Sequence, residues 1–159
     1  LELEEKLFNI GAELLEQALD KLINPTFTGV AQDNSKASFC YKIKKEDGLI
    51  NFTQESSDTI YNKYRAFKGW PKVFCFFNDK RIILEKLCLV HAVNLDLKQS
   101  QAFWMKDFNL IVVGCADSSN TNKYIGIEFF MPEGKKLMHA KEFWNGLKNP
   151  KDIYFRHFK

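Results

Sequence analysis

The stretch VFCFFNDKRIILEKLCLV, residues 73–90, decides the fold class of this chain. Two apolar segments rich in β-branched and aromatic residues flank Asn78 and Asp79, and this composition is typical of strands joined by a tight turn. The pattern therefore predicts a β-hairpin with strands at 73–77 and 81–90.

Other apolar segments extend this pattern along the chain. Residues 108–115 and 124–131 predict two more strands, and a weaker alternation at 37–43 predicts another. Glycine- or proline-containing turns are expected at 44–48 and 132–136. About five short strands separated by such turns predict a mainly β protein with flanking helices (α+β), built on a small barrel or curled sheet.

A long helix is predicted at residues 3–22, ahead of the strands. Apolar residues recur there every three or four positions, and good helix formers dominate the segment. Asn24 and Pro25 end it, because the residue before a proline is pushed out of the helical region. Its broad apolar face needs a partner, and the polar, turn-rich segment 24–36 is interpreted as a linker.

A second helix is predicted at residues 56–67, with Ser57 as its N-terminal cap, and a short helix follows around 140–147. The buried stripe of the second helix is predicted to consist of Ile60, Tyr64 and Phe67.

Charge is distributed unevenly along the chain. Two basic and seven acidic residues give segment 1–34 a net charge of −5, so the overall +3 leaves +8 for residues 35–159. A basic domain favours an anionic partner. Most aromatic residues lie at core periods, so backbone contact with a polyanion is expected rather than base stacking. The basic residues in or beside turns form three clusters: Lys42, Lys44 and Lys45; Lys63, Arg65 and Lys68; and Lys135 and Lys136 with Lys141.

Each lysine could instead belong to an ordinary solvated face. Three clusters in one basic domain nevertheless favour a polyanion over that reading. Turns at the rim of a small barrel are also where such folds bind extended ligands.

Several function classes are excluded by missing motifs. The chain has no glycine-rich phosphate loop, no GxSxG and no HExxH, and its three histidines lie far apart. Its four cysteines form no CxxC pair and are expected to be buried, reduced thiols rather than disulfides or zinc ligands. No run approaches the ~18 apolar residues of a membrane span. The chain begins at Leu1 rather than at a methionine, so we expect a fragment.

Three motifs, in this order, resemble the C-terminal part of the methionyl-tRNA formyltransferase family. They are YKIKKEDGLINF (41–52), IYNKYRAFKGWP (60–71) and MPEGKKLMHAKEFWNG (131–146). The segment IGAELLEQAL (10–19) also resembles the last helix of the family's catalytic domain. Segments 92–107 and 147–159 diverge from the family pattern.

The resemblance implies an organisation in two parts. Residues 1–34 would be the last helix of the catalytic domain and its linker, and residues 35–159 an OB-like barrel that binds tRNA. The family's catalytic Asn, His and Asp belong to an N-terminal Rossmann-like domain, so no catalytic residue is expected in this chain. The resemblance places the tRNA-binding residues in the basic clusters: Lys42, Lys44, Lys45, Lys63, Arg65, Lys68, Lys135 and Lys136.

The activity implied is transfer of a formyl group from 10-formyltetrahydrofolate to the methionyl amine of initiator tRNA, in the cytoplasm. We expect a monomer with no membrane partner, no cofactor in this chain, and the N-terminal catalytic domain as its neighbour. One alternative is a relative that formylates a sugar nucleotide or hydrolyses formyltetrahydrofolate, which would need no long basic track. Another is a stand-alone RNA-binding OB-like module, which would not need the long apolar helix.

Overall fold

The predicted hairpin forms the first two strands of the sheet. In this computed structural model the described residues are 2–92, 95–147 and 153–157. Strand β1 (Phe74–Phe77) pairs antiparallel with strand β2 (Lys80–His91). Asn78 and Asp79 between them have φ angles of 48° and 59°, and two positive φ angles are what a two-residue type I′ turn requires. The hairpin prediction is confirmed.

Seven strands form one sheet within the described residues, in the order β1-β2-β5-β4-β3-β7, with β6 paired to β5. The remaining strands are β3 (Gln101–Met105), β4 (Leu110–Val113), β5 (Lys123–Pro132), β6 (Met138–His139) and β7 (Ile153–Tyr154). The α-helices are α1 (Glu2–Ile23), α2 (Ser57–Ala66), α3 (Ser118–Thr121) and α4 (Ala140–Asn145). Each pair of these strands is antiparallel.

The two edges of the sheet meet through the C-terminal segment. Strand β7 pairs with β3, and Arg156, two residues beyond it, pairs with Phe76 of β1. The Phe76 amide donates to the Arg156 carbonyl at 2.7 Å, and the Arg156 amide donates back at 2.8 Å. This exchange nearly closes the sheet into a barrel, which confirms the predicted α+β, OB-like small barrel preceded by a long N-terminal helix.

The C-terminal segment 153–157 also fills the barrel, although no sequence motif predicts this role. Ile153 and Phe155 are buried there. The Phe155 ring lies within 6.4 Å of the rings of Phe52, Phe77, Phe130 and Phe143. Residues 148–152 and 158–159 of this tail lie outside the described part of the chain.

The chain divides into two compact units, Leu1–Tyr41 and Lys42–Lys159. In the first, α1 confirms the predicted helix and ends directly before Asn24-Pro25. The predicted strand at 37–43 is wrong. Its alternation is weak, and no described residue completes a backbone ladder with it, so the segment stays irregular.

The cysteines only partly match the prediction of buried thiols. Cys75 and Cys115 are buried, Cys88 is half-buried and Cys40 is exposed, and all four are free. Burial raises the pKa of Cys115 to about 12, so this thiol stays protonated and packs as a small apolar group. Among the described residues there is no metal-binding cluster, and no helix is long and apolar enough to cross a membrane.

Candidate nucleic-acid interface

The first basic cluster lies on a turn that is tightly anchored to the barrel. Lys42, Lys44 and Lys45 are exposed, and Lys45 begins a 3-10 helix, Lys45–Gly48. The Lys44 amide donates to the Asp47 carboxylate at 2.6 Å, which fixes the start of this helix. Gly48 is buried so close to the next segment that a Cβ there would lie 2.1 Å from the Lys72 carbonyl oxygen. The turn therefore presents three lysines from a rigid base.

The helix α2, which carries Lys63 and Arg65 of the second cluster, is fixed at its N-terminal end by two serines. Ser56, and not the predicted Ser57, is its N-cap, since the Ser56 hydroxyl accepts from the Thr59 amide at 3.1 Å. Ser57 is buried instead, and its amide and hydroxyl both donate to the Asp117 carboxylate.

The predicted buried stripe of this helix is confirmed. Ile60 is fully buried, and Tyr64 and Phe67 are half-buried against the core. Tyr61, which the periodicity did not include, packs there too.

Lys63 differs from the other predicted residues because it has internal partners. Its Nζ donates to both carboxylate oxygens of Glu55, at 3.1 and 3.0 Å, and to the Leu49 carbonyl at 2.8 Å. The side chains of Lys63 and Glu55 are 24% and 18% exposed. Lys63 thus links α2 to the segment that follows the first lysine turn, and a phosphate would have to displace Glu55 to reach it.

We expect a double-mutant cycle on Lys63→Gln and Glu55→Gln to give a coupling of about 1 kcal/mol in the free energy of unfolding, because the pair is largely shielded from water. Urea titration of the single and double variants measures it. Strictly additive effects of the two substitutions would contradict this structural role.

The rest of the second cluster faces water. Arg65 and Lys68 are exposed, and neither contacts a carboxylate among the described residues. Trp70, two residues beyond Lys68, is 61% exposed. The sequence predicts that most aromatic residues lie at core periods. Trp70 is an exception, because its ring faces solvent close in sequence to two exposed cations.

Two lysines of the third cluster lie on the turn after β5, and the third, Lys141, lies in α4. Lys135 and Lys136 are exposed, and Gly134, with a φ of 73°, provides the left-handed residue of this turn. The Lys135 amide donates to the Pro132 carbonyl at 3.0 Å. Neither lysine pairs with a described carboxylate.

The barrel brings the first two clusters together and separates the third from them. Lys63 bonds to Leu49, and Gly48 touches residue 72, so both clusters surround the start of β1. The turn with Lys135 lies near the far end of β1, because β1 pairs with β2 and the Arg81 carbonyl accepts from the Glu133 amide at 2.9 Å. A four-residue strand spans about 10 Å.

The structure also shows which lysines of the barrel surface form ion pairs. Three outside the predicted set form ion pairs across the barrel surface: Lys72 with Glu85, Lys86 with Glu128, and Lys123 with Asp58. Hydrogen bonding to Asp58 raises the pKa of Lys123. These three charges are already neutralised. The predicted cations other than Lys63 have no carboxylate partner in the part of the chain that the structure describes.

The family model described as Formyl transferase, C-terminal domain matches residues 42–148. A methionyl-tRNA formyltransferase from Sulfurovum sp. is 37% identical over 123 residues, which cover 76% of this chain and 36% of the relative. One from Thermodesulfovibrio yellowstonii is 32% identical over 146 residues, 92% of this chain and 44% of the relative. The chain therefore spans less than half the length of these curated relatives.

Among solved structures, HypX from Aquifex aeolicus in complex with tetrahydrofolic acid has a similar fold. The TM-score is 0.58, the sequences are 16% identical, and the match covers 92% of this chain and 26% of that one. At this identity the likeness concerns the fold alone.

Proposed function

Because this chain belongs to the formyl transferase C-terminal domain family, we propose that it positions initiator methionyl-tRNA for formyl transfer by binding the phosphate backbone of the tRNA. The observation that carries this proposal is the set of exposed cations without described carboxylate partners at the two ends of β1. Lysines and arginines that neutralise phosphates fix the register of a nucleic acid without reading its sequence.

The proposed phosphate contacts are a subset of the basic residues identified from the sequence. They are Lys42, Lys44, Lys45, Arg65, Lys68, Lys135 and Lys136. Lys63 is assigned a structural role because Glu55 and Leu49 already occupy its ammonium group.

The chemistry would take place in an N-terminal catalytic domain, as in a full-length methionyl-tRNA formyltransferase, with 10-formyltetrahydrofolate as the formyl donor. The relatives are at least twice as long as their matched parts, which supports this division of labour. The apolar face of α1, whose residues include none that is buried, is suited to pack against that domain. The protein would then act in the cytoplasm, as a monomer, during translation initiation.

We expect the 159-residue chain to bind initiator tRNA weakly, with an affinity that falls steeply as salt rises. Each phosphate that a lysine neutralises releases condensed counterions, so the logarithm of the association constant falls linearly with the logarithm of salt concentration. Fluorescence anisotropy of labelled tRNA at several salt concentrations measures the slope. An affinity independent of salt would overturn the proposal and favour a formyltransferase that acts on a small substrate.

Neutralising the first cluster with Lys42→Gln, Lys44→Gln and Lys45→Gln is expected to weaken tRNA binding about tenfold at moderate salt. The salt slope should become shallower by about 1 for each phosphate that is no longer neutralised. Lys106→Gln is the matched control, since Lys106 is also an exposed lysine, on the turn between β3 and β4. Equal losses of binding free energy per removed charge for the triple variant and the control would indicate general charge attraction rather than a defined interface.

A further inference from the structure

A cavity of about 270 Å³ opens between the start of β2, the end of β5 and the turn that follows β5. It exists because the β2–β5 register places Ile82 opposite Pro132, and the Glu133 amide then bonds to the Arg81 carbonyl at 2.9 Å. Arg81 and Lys135 supply two cations to its wall, and Glu133 supplies the one carboxylate among its described lining residues.

The Arg81 guanidinium is held in an unusual state. Its Cζ lies 3.9 Å from the centroid of the Phe74 ring, the diagonal neighbour across the hairpin, so an aromatic ring covers one side of the cation. Its Nε is buried and has no hydrogen-bond partner among the described residues. A buried donor without an acceptor is costly and rare, and such a group commonly marks a place where a ligand or ion completes the bonding.

The ring stacking determines what kind of acceptor would fit. Phe74 covers one side of the guanidinium, so an acceptor has to meet its remaining N–H donors, whose fork matches two oxygens of a phosphate. Lys135 adds an ammonium group to the same cavity wall. Glu133 is exposed and lines the same cavity, so its carboxylate is the negative charge that a bound anion would meet there.

We propose that this cavity binds a phosphate group through Arg81 and Lys135, with Glu133 opposing that binding. Taking the phosphate to be one of the tRNA backbone rests on the function proposed above. The site would then be a second anchoring point, about one length of β1 from the lysine turn that begins at Lys42. Sequence reasoning missed Arg81 because it lies among strand residues, and only the register of β2 with β5 brings it to Lys135.

The test uses the 159-residue chain with three substitutions, each of which has a different expected outcome. Arg81→Gln should weaken initiator tRNA binding about tenfold, as expected when a charged hydrogen-bond donor is removed. Arg81→Lys should recover part of this affinity, since it restores the charge but not the planar fork. Glu133→Gln should tighten binding, because it removes the carboxylate that competes with the phosphate. A role for Arg81 in stability alone does not predict this last result.

A spectroscopic measurement identifies the phosphate source. The ¹⁵N resonance of Arg81 Nε should move on addition of tRNA. If it also moves with inorganic phosphate at low millimolar concentration, the cavity is a general phosphate site, and if only tRNA moves it, the ligand is a backbone phosphate. A resonance that moves with neither would overturn the proposal.

Failure of this inference is distinguishable from failure of the proposed function. If Arg81→Gln and Glu133→Gln bind tRNA as tightly as the unsubstituted chain while the triple lysine variant binds weakly, then Arg81 only braces the hairpin. In that case the tRNA-positioning role would stand. If the unsubstituted chain shows no salt-dependent tRNA binding, the proposed function itself falls. Urea titration of each variant verifies that it is folded.

Discussion

Replacing Gly48 with alanine is expected to lower the free energy of unfolding of the 42–159 unit by about 3 kcal/mol. The added methyl group would lie 2.1 Å from the Lys72 carbonyl oxygen and 3.2 Å from its carbonyl carbon. Both are backbone atoms, so no side-chain rotation relieves the clash, and either the 3-10 turn or the start of β1 must move. Urea unfolding followed by tryptophan fluorescence measures the change.

Gly69→Ala is the matched control for this substitution. A Cβ at Gly69 meets nothing within 4 Å, and the residue lies on the exposed connection between α2 and β1. This variant is expected to be neutral or slightly stabilising, by up to about 1 kcal/mol, because alanine has less freedom than glycine in the unfolded chain. Equal stabilities for the two variants would contradict the close approach at Gly48.

The Gly48 variant also distinguishes the effect of the lysines' charge on tRNA affinity from the effect of their position. It keeps Lys42, Lys44 and Lys45, so its net charge is unchanged, but it moves the base on which they lie. If tRNA binding depends on where these lysines are held, the affinity should fall even though the charge is intact. An affinity equal to that of the Gly69 variant would mean that the lysines act only through overall charge.

The sequence was sufficient to predict a structural element where the element depends only on its own residues. The β1–β2 hairpin has a turn pair and two apolar strands, and α2 has a helical stripe with a serine at its start. It was insufficient to predict an element that forms only by pairing with residues distant in the sequence. The five-residue β3 has no clear alternation, and β7 has two residues, too few for any period, so their pairing emerges only from the closed barrel.

The same distinction applies to the candidate interface. The sequence located the exposed cations as clusters in turns, because charge and turn propensity are local properties. It could not separate Lys63 from Lys68, since Lys63 meets Glu55 and Leu49 only when α2 packs on the preceding segment. Nor could it indicate that Trp70 is exposed, because burial depends on which element covers the ring.

Replacing Phe155 with alanine is expected to have the largest effect on the free energy of unfolding, a decrease of about 4 kcal/mol. The side chain is 2% exposed, and its ring stacks on Phe130 at a centroid distance of 6.0 Å. Its amide donates to the Ser100 carbonyl at 3.0 Å, and the next residue, Arg156, closes the sheet on β1. Removing the ring would leave a cavity between the core and the segment that closes the barrel.

Phe108→Ala is the control for this substitution, since the Phe108 ring is 70% exposed on the turn between β3 and β4. Its removal should change the free energy of unfolding by less than about 0.5 kcal/mol.

Hydrogen exchange measures the effect of Phe155→Ala at the place where the sheet closes. The amides of Phe76 and Arg156 should lose protection in the Phe155 variant, because each bonds to the other residue's carbonyl where the sheet closes. If Phe155→Ala destabilised the protein while those two amides kept full protection, the C-terminal segment would stabilise the core without closing the barrel.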